Sequence, residues 1–393
     1  MYKSPLPFFY SAEAEAFYTA NTNARLSDLL LKFSQDLPSR ELALHLDARK
    51  KGQRKIPTWF NTKGIVFPQP QFLEQASSEA TAIYKAGLFA FATSADLTGG
   101  TGIDSWQFAL RGTNHAYVEP NETLSKLATH NFKILGANAI TVLNATAENY
   151  LATIKEPLDL IYLDPSRRVA QQRVINLQDY SPNVLALLPE LVKKCRHLLV
   201  KVSPLADIKQ LIQQFSGYLN AIHVVAVGNE CKEILLHCSS TKTEQVAIHA
   251  VNIVGNANQL FSFQIADEQA KAPMAEKPLT YLYEPNAAVL KAGAFNTLAN
   301  VFNVQKLHPN SHLYTSGTLK KAFPGRVFSI LETCKPYKMS STFEPVNVAA
   351  RNFPEKAEDI QKKLGLKQGA DFRLFATTVK DGKVFIIGKE VAE

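Results

Sequence analysis

Two short segments hold residue types that could do chemistry. In Asp96-Leu97-Thr98-Gly99-Gly100-Thr101-Gly102-Ile103-Asp104, an acid ends an apolar stretch and glycines follow at once. Glycines in that place let the backbone turn tightly into a helix and come close to a ligand. In Leu160-Ile161-Tyr162-Leu163-Asp164-Pro165-Ser166-Arg167-Arg168, an apolar strand delivers an acid, a proline and two arginines. Asp164 could orient or deprotonate an attacking group. A guanidinium beside it could fork onto a phosphate or stack on a base. The plain alternative for the second segment is a strand-end turn with surface arginines.

Three further segments bear on the ligand. An acid at the end of the first strand suits a ligand carrying an ammonium group, such as S-adenosylmethionine (SAM). A dinucleotide is the rival: Gly100 and Gly102 fit a Gly-x-Gly-x-x-Gly pattern, but Ser105 stands at its third position. Tyr117-Val118-Glu119-Pro120 places a carboxylate at the end of the next strand, where it could take both ribose hydroxyls of either ligand. Asn144-Ala145-Thr146-Ala147-Glu148 is a polar turn suited to adenine, or an ordinary loop. Ser77-Ser78-Glu79 opens a helix, with Ser77 or Ser78 as its N-cap.

The elements that must position these residues follow from hydrophobic periodicity. Short apolar strands are predicted near 92–97, 115–119, 139–143, 158–163, 197–202, 221–227 and 232–238, with helices at 103–112, 121–135, 146–154, 182–195 and 205–215. Such alternation builds a mostly parallel sheet covered on both faces. The last two strands are joined by Gly228-Asn229-Glu230, which predicts a hairpin and hence one antiparallel strand. Residues 11–55 read as helical and end in the basic run Arg49 to Lys55 beside Trp59 and Phe60. That run could grip phosphates; the favoured reading is a solvated helix end with Trp59 in the core. Beyond 240 come strand-like stretches at 246–254 and 260–265, a loop at 266–278, a helix at 286–302, a strand near 326–332, a helix at 355–364 and a strand at 372–387.

The chain has 393 residues, 46% hydrophobic and 20% charged, enough for two or three cored domains. No stretch suits a membrane span or a secretory leader. Cys195, Cys231, Cys238 and Cys334 lack metal-ligand spacing and read as reduced thiols of a cytoplasmic protein. The net charge of +8 is uneven: residues 1–75 carry 10 Lys/Arg against 7 Asp/Glu, residues 76–240 carry 14 against 14, and residues 241–393 carry 19 against 14. Basic flanks around a neutral centre suit a polyanionic partner.

Together these segments resemble the class I SAM-dependent methyltransferases, especially those acting on RNA. Asp96-Leu97-x-x-Gly100-x-Gly102 is similar to their first motif and Asp164-Pro165 to their fourth. Their fourth motif commonly continues with a second proline and an aromatic; here Ser166 and Arg167 stand instead. Uracil-5 methyltransferases share a Pro-Arg form of this motif, but their fifth strand ends in a nucleophilic cysteine. The matching stretch here is Lys201-Val202-Ser203-Pro204, without one, so covalent attack on a pyrimidine is not expected. The N-terminal helical region, Ser77-Ser78-Glu79, the two motifs and a basic C-terminal module resemble a family of bacterial SAM-dependent methyltransferases with a THUMP-like C-terminal domain. The THUMP-like part spans roughly 280–393 and includes Phe323-Pro324-Gly325-Arg326-Val327-Phe328.

The resemblance implies a fold, a cofactor and a set of roles. The fold is α/β: a Rossmann-like, seven-stranded class I methyltransferase sheet, an N-terminal helical region and a smaller α+β C-terminal module. The expected divisions are 1–75, 76–240 and 241–393. SAM would be held by Ser78, Asp96, Thr98, Gly100, Gly102, Glu119 and Asn144, with the helix after Ser78 closing over its carboxylate. Asp164 and Pro165 would be catalytic, and Ser166, Arg167 and Arg168 would hold the substrate. RNA is the expected partner; neither a metal nor a membrane is expected. Two rivals stay open: methylation of a protein or small molecule, and an RNA-binding protein whose SAM-binding fold is not catalytic.

Overall fold

The structure is a computed structural model. It describes residues 2–166, 168–169, 172–173, 177–241, 243, 245–340, 343, 345–369 and 372–391, with only the backbone of 168, 169, 172 and 173. The chain forms two compact units. The first comprises Met1–Val202, Gln210–Leu219 and Leu235–Lys242; the second comprises Ser203–Lys209, Asn220–Ile234 and Thr243–Glu393.

The first unit opens with helices α1 (Ala12–Ala20), α2 (Leu26–Lys32), α3 (Leu37–Lys55), α4 (Pro57–Asn61) and α5 (Pro70–Gln75). Pro38 sits in the first turn of α3, where no N–H partner is lost, and Asp36 caps it. His45 of α3 is fully buried and ties this layer together. Its Nε2 accepts from the Phe67 N–H at 3.0 Å, which leaves Nδ1 to face the Tyr18 hydroxyl at 2.7 Å. Burial pushes its pKa down to about 3, so it stays neutral. Several side chains of the basic run ending α3 pair within the fold. Trp59 is completely buried, Lys51 pairs with Asp47 and Glu74, and Lys55 donates to the carbonyl of Leu73.

Alternation of strand and helix then begins as expected. After α6 (Glu79–Ala86) come β1 (Thr93–Asp96), α7 (Ile103–Ala109), β2 (Asn114–Val118), α8 (Glu122–Ile134), β3 (Ile140–Leu143), α9 (Ala147–Thr153), β4 (Leu158–Leu163), α10 (Val184–Leu191), β5 (Cys195–Val202), α11 (Ile208–Gln214), β6 (Leu219–Val227) and β7 (Glu230–Cys238). Between β4 and α10 lies a two-residue strand pair, Arg168–Val169 with Gln172–Arg173. Two more strands follow, β8 (Ala247–Val254) and β9 (Ala257–Gln264).

The nine strands form one sheet in the order β9-β8-β6-β7-β5-β4-β1-β2-β3. Strands β3, β2, β1, β4 and β5 are parallel, and Asp96 pairs with Tyr117 on one side and Tyr162 on the other. This register brings the C-terminal ends of β1, β2 and β4 to one edge, where ligands bind in open α/β sheets. Strands β6 and β7 are joined by Gly228 and Asn229, both at positive φ (57° and 65°). That is the geometry of a tight hairpin turn, so β7 runs antiparallel. The seven expected strands are present in the class I order 3-2-1-4-5-7-6. The stretches read near 246–254 and 260–265 extend the same sheet, β8 lying parallel to β6 and β9 antiparallel to β8.

The remainder of the second unit is an α+β module. It holds β10 (Tyr281–Pro285), α12 (Ala287–Ala292), α13 (Phe295–Phe302), β11 (Gln305–Lys306), β12 (Tyr314–Ser316), β13 (Gly325–Cys334), β14 (Val346–Arg351), α14 (Ala357–Leu364), β15 (Phe372–Val379) and β16 (Gly382–Glu390). Its seven-stranded sheet has the order β11-β12-β10-β13-β16-β15-β14. The single helix expected over 286–302 is two, because Gly293 adopts a left-handed φ of 77° and ends α12. The single strand expected over 372–387 is the hairpin β15–β16, which turns between Val379 and Gly382.

Candidate active site

The loop after β1 is built around two glycines. At Gly99 a side chain is impossible: a Cβ would stand 2.3 Å from the ring of Tyr117. Gly102 has φ 85°, starts α7, and packs so closely on Phe132 that a Cβ would lie 2.7 Å from its ring. Tyr117, fully buried on β2, donates its hydroxyl to the Gly100 carbonyl at 2.7 Å and holds the loop from beneath.

The acids differ in what they face. Asp96 is 1% exposed. One oxygen accepts from the Thr98 N–H (3.0 Å) and hydroxyl (3.3 Å), and the other from Ser105 Oγ at 2.8 Å. Burial, aided by the charge of Asp104, raises its pKa to about 7 against the pull of these hydrogen bonds. Asp96 thus braces the loop from within. Ser105, at the third place of the dinucleotide pattern, is the partner of that brace. Glu119 follows β2, 8% exposed, and accepts from the N–H groups of Gly100 and Asn121, each at 2.8 Å. Burial raises its pKa despite both bonds. A carboxylate offers about four lone-pair positions, so both oxygens can still accept from a ligand hydroxyl. Asn144 is exposed, and its amide donates to the carbonyls of Glu119 and Pro120. Ser78, not Ser77, caps α6, accepting from the Thr81 N–H.

Asp164 leaves the end of β4 with its side chain 34% exposed. Its backbone N–H donates to Thr98 Oγ1 at 2.6 Å, joining the β4 end to the glycine loop. Its Oδ2 accepts from Lys201 Nζ at 2.5 Å, at the end of β5, while Oδ1 has no partner among the described residues. Pro165 is buried. Ser166 is exposed and exchanges backbone hydrogen bonds with Ser181 at 2.8 and 3.1 Å. Arg167 and the Arg168 side chain lie outside the described residues.

Behind Asp164 is a cluster that the sequence did not announce. Lys85 of α6 is completely buried; its ammonium lies 3.1 Å from Asp104 Oδ1, 2.8 Å from Ser77 Oγ and over the ring of Tyr162. Asp104 Oδ2 accepts from Ser77 Oγ (2.7 Å) and the Tyr162 hydroxyl (3.1 Å). Lys201 reaches Ser77 Oγ at 3.4 Å. Burial alone would raise the Asp104 carboxyl, but Lys85, Lys201 and the Ser77 hydroxyl hold it below its ordinary range. Lys85–Asp104–Ser77–Lys201–Asp164 is therefore one chain of ion pairs and hydrogen bonds from α6 to the strand ends.

Cys195 is buried and desolvation lifts its thiol to about 12, so it is no nucleophile. Among the described residues, no group of three or more His, Cys, Asp or Glu could hold a metal, and no helix is long and apolar enough to cross a membrane.

The strand order, the closing hairpin and the glycine loop define a class I methyltransferase-type domain. A candidate methyltransferase from Porphyromonas gingivalis W83 is similar over the full length, at 30% identity and a TM-score of 0.86, with 100% of each chain covered. A THUMP domain-like model matches residues 325–390, and a ferredoxin-like domain model matches residues 281–324. The chain belongs to the family of class I SAM-dependent methyltransferases with a THUMP-like C-terminal domain. An rRNA methylase from Streptococcus thermophilus is 11% identical with a TM-score of 0.31, covering 44% of this chain and 98% of that one. A candidate methyltransferase from Streptococcus mutans, in complex with SAH, is 10% identical with a TM-score of 0.32, covering 40% and 94%. At these scores nothing about this chain follows from either. Among curated proteins, none matches.

Proposed function

We propose that the protein transfers a methyl group from SAM to structured RNA, tRNA or rRNA, by direct in-line displacement. The observation that carries this reading is Asp164. It leaves the strand next to β1, its N–H is fixed to Thr98 of the glycine loop, and its Oδ1, without a partner among the described residues, could accept an acceptor's proton-bearing group.

The residues present suit SAM. Where a Cβ would stand on Gly100, only the Thr98 carbonyl lies within 4 Å, so that side of the loop has room for a ligand. Glu119 would take the ribose hydroxyls. Thr98, Gly100 and Gly102 would present backbone to the ligand, with Asp96 holding the loop from below. Asn144 would face the adenine, and α6 after Ser78 would offer N–H groups to the carboxylate. When bound, SAM supplies an electrophilic methyl on a sulfonium. The protein's own part is positioning and exclusion of water. Asp164 orients or deprotonates the acceptor, Pro165 stiffens the turn, and Ser166, Arg167 and Arg168 hold substrate. The working division is a helical region 1–75, a methyltransferase domain 76–240 and a C-terminal region 241–393. RNA as substrate is supported by the basic flanks and by the THUMP domain-like match.

The test is incubation of the purified chain with methyl-labelled SAM and total RNA, followed by identification of the modified nucleoside. Label in one RNA fraction, lost with Asp164→Ala, supports the proposal. Absence of label from every RNA fraction, with SAM still bound in calorimetry, would sink it in favour of a binding protein. Label only in protein or small-molecule fractions would move the substrate class.

A further inference from the structure

Three arginines of the second unit gather on one enclosed carboxylate. Glu284 of β10 has a side chain only 4% exposed. Its Oε2 accepts from Arg326 of β13 and its Oε1 from Arg351 of β14, each at 2.8 Å. Arg373 of β15 lies in the field of the same groups, Glu284, Arg326 and Arg351, with a weaker influence from Glu390. Burial first, then repulsion from Arg326 and Arg351, holds the Arg373 guanidinium below its ordinary range. The Arg373 Nε is buried and has no hydrogen-bond partner among the described residues. Two of the guanidiniums lie over aromatic rings, Arg326 over Phe328 at 5.9 Å and Arg373 over Phe375 at 5.6 Å.

Among the described residues the donors and charges do not balance. Three guanidiniums carry roughly fifteen N–H groups. Glu284 takes one from Arg326 and one from Arg351, and the Ala350 carbonyl takes one more from Arg351 at 3.3 Å. Among the described residues, three guanidiniums share the enclosed Glu284 and the weaker field of Glu390, and crowding like charge is costly unless a further anion completes it. Arg326 and Arg351 remain 34% and 40% exposed, so the cluster opens to solvent and an anion can enter. Glu284 meanwhile fixes two planar forks in orientation before anything binds. Planar forks match the tetrahedral oxygens of a phosphate bidentately.

We infer that Arg326, Arg351 and Arg373 form an oxyanion site that takes a backbone phosphate of a nucleic acid. The oxyanion chemistry stands on the cluster itself. The assignment of the phosphate to RNA rests on the function proposed above.

The full-length protein tests both parts, with two variants that leave Glu284 at least one partner: Arg373→Met, which keeps both Glu284 pairs, and Arg351→Met. The first probe is inorganic phosphate against chloride at equal ionic strength, read as the rise in melting temperature. The second is a folded tRNA transcript, read by fluorescence anisotropy across a salt series. The expected result is a phosphate-specific rise in wild type that Arg373→Met removes. For tRNA, each variant should weaken binding about tenfold and lower the salt slope by about one, with SAM affinity unchanged in calorimetry. If wild type answers to phosphate, Arg373→Met does not, and tRNA fails to bind wild type, the oxyanion site stands with free phosphate as its source, and the RNA reading falls. If both variants fold, answer to phosphate and bind tRNA as wild type does, the site is overturned. A loss of melting temperature in Arg351→Met without any phosphate dependence in wild type also overturns it, leaving a structural ion pair.

Discussion

In the first unit, Lys85 and Lys201 meet Asp104 and Asp164 around Ser77; in the second, Arg326, Arg351 and Arg373 meet Glu284. Each is a cluster of opposite charges built on a buried member, Lys85 in the first and Glu284 in the second. The first is balanced, two ammoniums against two carboxylates, with a hydroxyl filling the gap. Its charges satisfy one another, so its effect is to fix where Asp164 points. The second is unbalanced toward the cation, and its guanidiniums keep donors to spare. Equal numbers make a brace, whereas an excess of one sign makes a receptor for the other.

The comparison can be broken at several points. Lys85→Met should be the most damaging change, because it strands the Asp104 carboxylate in a buried place. A loss of about 3–5 kcal/mol in denaturant unfolding is expected, with partial recovery in the Lys85→Met, Asp104→Asn pair. An unchanged midpoint would show that the first cluster is not a brace. Asp164→Asn should leave folding and SAM affinity alone while lowering label transfer to RNA roughly 100-fold; a rate within a few fold of wild type would remove Asp164 from the chemistry. Gly102→Ala forces a left-handed backbone on alanine and pushes a methyl into Phe132. A cost of about 1–3 kcal/mol, with weakened SAM binding, is expected, read by calorimetry and thermal melts.

Asp96 gives a pH test. Its pKa in the folded chain is about 7, above the ~3.9 of an unfolded aspartate. A raised carboxyl contributes its stability fully below about pH 4 and loses it as pH rises through about 7. Wild type should therefore lose stability relative to Asp96→Asn between about pH 4 and pH 7 and run parallel to it above that, measured as the difference of their melting curves. Curves parallel throughout would show that Asp96 is not desolvated as described. The smallest effect is expected from Lys201→Gln. It removes one member of the brace at a side chain still 12% exposed, and should change transfer rate more than stability.

The sheet was legible because its signals are local. Most sheet strands from 92 to 238 are short apolar runs, and the turn at Gly228-Asn229 marks the closing hairpin. Gly99 to Gly102 and the acid before Pro165 likewise announce themselves within a few residues. Membership of β8 and β9 in the same sheet was not legible, since nothing in an apolar stretch says which strand it will pair with. Lys85 was hidden for a different reason. A lysine in the last turn of a helix is ordinary at a surface, where it complements the helix dipole, and only tertiary packing makes it buried. Arg326, Arg351 and Arg373 belong to three strands whose pairing brings distant parts of the sequence together. The basic run from Arg49 to Lys55 was the visible cluster, yet Arg49 pairs with Glu15, Lys51 with Asp47 and Glu74, and Lys50 and Lys55 donate to backbone carbonyls.

Thr98 has a consequence beyond its place in the loop. Its hydroxyl accepts from the Asp164 N–H and donates to Asp96, so one oxygen sits between the glycine loop and the turn that carries Asp164. Neither backbone can shift without surrendering a bond worth about 1 kcal/mol. On the proposed function, the alignment of methyl donor and acceptor would then be a shared coordinate: disorder in the glycine loop would be felt as misregistration at Asp164, and the two would tighten or loosen together.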